Sequence, residues 1–331
     1  MNQIIEDLKD PTALPENTLN VNVVQTHISI VFVADSYVYK IKKPVDFGFL
    51  DFSTLEKRKY YCHQEVHLNR RLARDLYVDV LPVTLVNGKH TLAKPEGEPV
   101  EYAVKMKRIP SDRLMKSLFE AGKITSEHLT EIAGVLSEFH INAKTSDEIA
   151  QFAEPEKFKI NTDENFQQVR SNIGLTISEQ QFQDIQAYTN DFYGSHRDLF
   201  FKRIESGRIR DCHGDLHMEH VCLMPGLPII DCIEFNERFR YSDAIADIAF
   251  LLMDLEYHGG MDEAKVLWKH YKTLSKEEDV DHLLKFYKVY RAFVRGKVNG
   301  FQVGDPAIGD TEKEEAIRRA QSYFNLAHGY L

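Results

Sequence analysis

The chain has 331 residues, 43% of them hydrophobic and 28% charged, with a net charge of -10. A single hydrophobic core stops growing near ~250–300 residues, so two lobes around a cleft are expected, and the composition excludes wholesale disorder. The acidic balance argues against a dominant nucleic-acid footprint, "MNQIIEDLKD" lacks the basic and then apolar opening of a signal peptide, and no apolar run approaches ~18 residues, so a cytoplasmic protein without a membrane span is expected.

After a short amphipathic start, "NVNVVQTHISIVFVADSYVYKIKKP" is β-branched and aromatic and alternates in parts, which predicts two or three antiparallel strands between Val21 and Lys42. Pro44 and Gly48 break the pattern. "STLEKRKYYCHQEVHLNRRLA" then begins with a capping box, Ser53 with Glu56, and predicts a long helix to Ala73. Two further strands, "VDVLPVTLV" and "EYAVKMKRI", are separated by the turn "NGK" and the loop "KPEGEP", completing a five-stranded sheet.

From Ser111 onward the periodicity is helical, with Ser caps before "SEHLTEIAGVLSEFHINA" and "SEQQFQDIQAYTNDFYGSHRDLFFKRIESG". A lobe boundary near Pro110 is expected, giving a first lobe over 1–109 and a second over 110–331. "VCLM" and "LPIIDCI" around Pro225–Gly226 read as a hairpin, and the rest of the chain reads as helices. Cys62, Cys212, Cys222 and Cys232 include no C-x-x-C pair, so buried reduced thiols are expected.

The stretch "DCHGDLHMEHVCL" crowds His213, Asp215, His217, Glu219 and His220 together. A metal site is one reading, since nitrogen and oxygen ligands suit many divalent ions. The spacing matches none of the helical H-E-x-x-H patterns, however. Phosphoryl transfer is the other reading: one carboxylate orients an acceptor hydroxyl while other groups hold Mg²⁺ against ATP phosphates. Asp215 follows a strand-breaking His-Gly and can serve as base; Asp231 ends a second apolar run sixteen residues later and can hold metal.

"CHGDLHMEHV" and "IIDCIEFNERFRYSDAIADIAFLLMDL", with "VYKIKKPVDFGFLDFSTLEKR" and "EVHLNRRLARDLY", resemble the aminoglycoside phosphotransferase and choline kinase superfamily, in particular an uncharacterised bacterial branch of it. The resemblance implies an α+β, two-lobed protein-kinase-like fold, with a small β-sheet N-lobe carrying one long helix and a mainly helical C-lobe. It implies an ATP- and Mg²⁺-dependent phosphotransferase acting on a hydroxyl. Asp215 becomes the candidate base, with His213 shaping its loop. His220 stands where the family has a metal-binding Asn, a softer ligand than Mg²⁺ prefers. Asp231 takes the second metal position, with Glu234 as a nearby alternative.

In the first lobe the family's phosphate-binding lysine falls on Lys40, with Lys42 second on the same strand face, and its helix partner on Glu65. The adenine hinge falls near Met106, Lys107 and Arg108. "QTHIS" carries no glycine-rich phosphate loop. Asp247 matches a structural Asp that supports the catalytic loop.

On "FYKVYRAFVRGKVNGF", Arg291 and Arg295 share a helical spacing with Lys288 and offer bidentate recognition of phosphate or carboxylate. A polycationic aminoglycoside suits such a face poorly, whereas an anionic substrate suits it well. Arg238, Arg240 and Tyr241 could join that pocket. Two other functions fit the same residues: a pseudokinase or nucleotide-binding scaffold, suggested by His220 and the missing glycine loop, and a metal-dependent hydrolase using the His/Asp cluster.

Overall fold

The computed structural model describes residues 1–94, 96–304 and 308–331. The chain is α+β and forms two compact units, Met1–Lys123 with Glu219–Glu237, and Ile124–Met218 with Arg238–Leu331. The first unit thus extends past the expected boundary near Pro110 and takes back a later segment. No helix among the described residues is long and apolar enough to cross a membrane.

The first unit begins with α1 (Asn2–Leu8), followed by β1 (Asn22–Gln25), β2 (Ser29–Val33) and β3 (Tyr37–Lys42). Next come α2 (Leu55–Asn69), β4 (Tyr77–Val86), β5 (Lys89–Thr91), β6 (Pro99–Lys107) and α3 (Met115–Glu120). The strands make one antiparallel sheet in the order β1-β2-β3-β6-β4-β5. It has six strands because the "NGK" turn closes a real hairpin: Asn87 and Gly88 both take positive φ, as a tight hairpin turn requires. Pro95, within "KPEGEP", lies outside the described residues.

Alternation along β2 and β3 buries Ile30, Phe32, Tyr39 and Ile41 in one core with Leu8 of α1, while Cys62 and Val66 of α2 pack with Tyr77 and Val104 in another. The N-cap of α2 is Thr54, one residue later than expected. Its hydroxyl accepts from the Lys57 amide, whereas Ser53 turns back to hydrogen bond with Asp51. The expected hairpin at Pro225–Gly226 is reduced to a bridge between Val221 and Ile229, with Gly226 and Leu227 in left-handed conformations.

The second unit contains α4 (Ser126–Asn142), α5 (Asp147–Ala150), α6 (Pro155–Val169), α7 (Glu179–Ser195) and α8 (Arg197–Glu205). Then follow β7 (Ile209–Asp211), α9 (Glu237–Arg240), β8 (Tyr241–Asp243), α10 (Ala244–Tyr257), α11 (Met261–Leu274), α12 (Asp281–Val303) and α13 (Asp310–Gly329). The long helix expected from "SEQQF" onward is two helices, separated at His196. Helix α10 is buried along nearly its whole length, so its two interior acids, Asp247 and Asp254, must find partners inside the unit. Helices α12 and α13 pack closely at Gly296, where a Cβ would lie 2.8 Å from the Phe324 ring.

Candidate active site

The first unit gathers five of the expected residues into one ionic cluster. On β3, Lys40 and Lys42 point to the same side, towards Glu65 on α2. Lys42 Nζ lies 2.6 Å from Glu65 and also pairs with Glu234; Lys40 Nζ lies 3.0 Å from Glu65 and 2.7 Å from Asp231. The Lys42 side chain is 1% exposed and that of Lys40 is 15% exposed, so only Lys40 stands at the open edge of the cluster.

Burial disfavours both ammonium groups, yet Asp231 and Glu65 hold the pKa of Lys40 well above the usual lysine value, and Glu234 and Glu65 do the same for Lys42. The carboxylates respond in opposite ways. Burial would raise Glu65, but the two lysines pull it down; Glu234 is pushed up by burial and by the like charge of Glu65, against the pull of Lys42. Three carboxylates face two ammonium groups here, and of Glu65 and Glu234 it is Glu234 whose protonated form is favoured.

Asp231 is fixed by its backbone. It adopts φ +61°, uncommon for a residue with a Cβ. Its amide donates to the Tyr77 hydroxyl at 3.1 Å, and the next amide, of Cys232, donates to Asn69 Oδ1 at 2.9 Å. Asn69 in turn donates to the Glu65 carbonyl. The segment is therefore tied to α2 and β4 at adjacent residues. The Asp231 side chain is 43% exposed, and its Oδ2 lies 3.6 Å from His220 Nε2. Glu234, given as an alternative metal ligand, is instead buried against Lys42.

At the expected hinge, Met106 packs with Tyr77, Val66 and Ile230. The Lys107 amide donates to Leu76 O and the Arg108 amide to Ser36 O. Both amides are committed to the sheet, so the apolar wall and not these two donors is what this strand end offers.

The second unit holds the Asp215 loop. The amides of His213 and Gly214 each donate 2.8 Å hydrogen bonds to the two oxygens of Asp247, one apiece. Two turns along α10, Asp254 accepts from the Met218 amide at 3.0 Å. The loop is thus gripped at both ends from one helix face, and Gly214 takes φ +88° between the grips. His140 Nε2 lies 3.1 Å from Asp247, and its Nδ1 lies 2.7 Å from the Tyr271 hydroxyl. Burial would raise Asp247, but hydrogen bonding and charge from His140 hold its carboxyl well below the usual range. His213 is fully buried and its Nδ1 accepts from the Asp215 amide; Asp215 itself is part-exposed, with Oδ2 3.6 Å from His217 Nε2.

The arginines divide. Arg291, expected to bind substrate, is buried and donates to Gly214 O at 2.9 Å and Ala246 O at 3.0 Å, so it braces the loop. Arg240 is also buried, in a 2.5 Å pair with Asp211, while Arg238 pairs with Glu164 at 2.6 Å. Arg295 lies over the Tyr323 ring at 5.5 Å; burial opposes its charge, but Tyr323 and Asp215 hold its pKa above the usual arginine value. Asp215 is thus one of the groups whose charge acts on Arg295. Asp254, His140, Asn69 and Tyr77 were not singled out in the sequence; for Asp254, the seven-residue spacing from Asp247 on an apolar helix was a usable signal.

No family model matches the chain. An uncharacterised protein of Mycobacterium tuberculosis is 33% identical over 289 residues, 86% of this chain and 56% of that protein, and one of Mycobacterium bovis matches equally. The chain spans a little over half the length of these curated relatives. Among solved structures, a choline/ethanolamine kinase family protein from Mesorhizobium loti has a TM-score of 0.52 at 11% identity, covering 95% of this chain and 92% of that one. The choline kinase LicA of Streptococcus pneumoniae has a TM-score of 0.50 at 14% identity, covering 98% and 99%. A Ralstonia eutropha structure of the aminoglycoside phosphotransferase type has 0.52 at 12%, covering 98% and 97%. The chain has the protein-kinase-like fold of these structures.

Proposed function

We propose that the chain is an ATP- and Mg²⁺-dependent phosphotransferase that passes the γ-phosphoryl group to a hydroxyl of a small molecule. The observation that carries this reading is Lys40, paired at once with the helix glutamate Glu65 and with Asp231. A lysine at the open edge of such a cluster can exchange a carboxylate for phosphate oxygens, which Lys42, buried between Glu65 and Glu234, cannot do without breaking the core.

The donor set suits a divalent ion. Mg²⁺ usually takes one or two carboxylates and leaves its other positions to water and substrate phosphates, and Asp231 supplies one half-exposed carboxylate in a fixed backbone. Asp231 would hold the ion, with His220 adding a nitrogen that suits Mn²⁺ or Zn²⁺ better. When bound, the ion would offset the negative charge of the phosphates.

The first unit supplies the groups for nucleotide and metal, and the second supplies the base. Asp215 would orient the acceptor hydroxyl and take its proton as that oxygen bonds to the γ-phosphorus and ADP leaves. The buried carboxylates Asp247 and Asp254 keep the loop still, so no reorganisation of its backbone is needed at the moment of transfer.

His220 favours one second reading, a nucleotide-binding scaffold that has lost transfer. ADP formation from Mg²⁺-ATP across a panel of hydroxyl acceptors separates the two. Acceptor-dependent ADP release that disappears in Asp215→Ala is expected. ATP binding without turnover for any acceptor would favour the scaffold; turnover surviving Asp215→Ala would remove the base assignment. One equivalent of zinc retained through purification, with ATP-independent hydrolysis, would favour a hydrolase.

A further inference from the structure

In the second unit, helices α6 and α12 meet along a seam that the loop architecture does not use. From α6 it receives Asn161, Asn165 and Gln168, spaced to lie on one face, and from α12 it receives Tyr290, Lys297 and Phe301. At its inner end Phe158 packs against Tyr290, with ring centroids 5.2 Å apart. Its outer end carries Phe301, 40% exposed, with Lys297 Nζ 5.6 Å from its ring centroid.

Lys297 is unusual in its partners. Its ammonium donates to Asn165 Oδ1 at 2.6 Å and Gln168 Oε1 at 2.9 Å, and among the described residues no carboxylate lies within ion-pair distance of it. Glu164, already paired with Arg238, acts on it from further away, and Arg238 opposes with like charge. Burial brings the Lys297 pKa down to about 8. A largely buried cation held by neutral amides, with a third N–H to place, is short of one negative charge. One turn inward, Asn161 Oδ1 is buried without a hydrogen-bond partner, an acceptor short of one donor. A ligand bearing both an anion and a hydroxyl would satisfy both.

We propose that the α6–α12 seam is the acceptor subsite, and that the acceptor is a polyhydroxylated small molecule whose carboxylate or phosphate is held by Lys297 with Arg238, a hydroxyl meeting Asn161. This rests on the phosphotransferase reading for its use, though not for its detection. Arg291, next to Tyr290 at the seam's inner end, bonds to the Gly214 carbonyl beside Asp215. Six residues of α12, about 9 Å along its axis and about a third of a turn around it, separate Arg291 from Lys297. Lys297 is then a specificity-determining residue.

The test is calorimetric titration of the full chain with D-gluconate, glucose 6-phosphate, sorbitol and choline, with Mg²⁺-ATP binding measured separately. At least one anion binds, sorbitol and choline do not, and Lys297→Met weakens the anion by about tenfold or more while Mg²⁺-ATP affinity is unchanged. Lys297→Arg restores binding. The gluconate and glucose 6-phosphate arms tell a carboxylate from a phosphate ligand. Because gluconate keeps its charge throughout, its wild-type affinity falls between about pH 7 and pH 9.5 as Lys297 loses its proton, and the Arg variant stays flat. Neither anion binding, or equal binding by Lys297→Met, overturns the subsite. A chain that binds the anion but not Mg²⁺-ATP overturns the phosphotransferase reading alone.

Discussion

The two units hold their key carboxylates by different physics. In the first, Asp231 faces Lys40 in an ion pair at the edge of a charge cluster, with the side chain 43% exposed. In the second, Asp215 is carried by a loop whose amides end on the buried carboxylates of Asp247 and Asp254, and whose carbonyl is capped by Arg291. An ion pair at an open edge can be exchanged for another ion at modest cost. Backbone amides delivered to buried carboxylates cannot be released without leaving charge unpaired in the interior. On the proposed function, the first unit would bind exchangeably and the second would position its carboxylate.

The largest expected effect tests the fixed side. Asp215→Asn should lower phosphotransfer by about 10²–10⁴-fold, the usual worth of a positioned general base, while stability falls less than in Asp247→Ala because the loop's amides keep their acceptors on Asp247 and Asp254. A large fall in stability would mean that Asp215 is part of the scaffold. Asp247→Ala should do the opposite in kind: two amides and His140 lose their acceptor, and unfolding in urea should show a loss of about 3–5 kcal/mol.

The lysines sharpen the other side. Lys42→Met leaves Glu65 and Glu234 buried without their shared cation and should cost about 3–5 kcal/mol of stability. Lys40→Met removes a charge from the open edge and should cost less, while abolishing the thermal shift that Mg²⁺-ATP gives the wild type. Equal stability losses in the two variants would erase the distinction between a structural and an exchangeable lysine. His220→Asn exchanges a nitrogen ligand for an oxygen, so the ratio of activity with Mg²⁺ to that with Mn²⁺ should rise several-fold.

Much of this was legible in the sequence, for identifiable reasons. Lys40, Lys42 and Glu65 come from the family resemblance, strand alternation adding that the two lysines share a face, and Asp215 and Asp231 from their places after a strand-breaking His-Gly and at the end of an apolar run. What pattern could not supply was the identity of the facing group. Arg291 and Arg295 share one helical stripe, yet one meets the Gly214 carbonyl and the other lies over Tyr323. Spacing fixes a direction, and only the fold decides what lies there. Glu234 is a similar case: three residues after Asp231 it could have shared a metal, but Lys42, far away in sequence, claims it. The cap of α2 moved from Ser53 to Thr54 because Asp51 competes for the Ser53 hydroxyl, a local contest that residue type alone does not resolve.

The smallest effect separates the two units by pH. Glu234 has a pKa raised in the folded chain by burial and by Glu65, so between its unfolded value near 4.5 and its folded value the native state binds the extra proton. Its contribution is fully present below the unfolded value and is lost as pH rises through the folded one. Asp247 has the opposite sign: its folded value is held low, so its contribution is present above about pH 4 and disappears as pH falls further. Glu234→Gln, which mimics the protonated acid, should therefore flatten the decline of stability on the alkaline side of pH 4.5 while leaving the acid limb set by Asp247 intact. Urea unfolding at a series of pH values reads both limbs in one experiment. A Gln variant that keeps the wild-type slope above pH 4.5 would mean that the folded chain does not bind the extra proton at Glu234.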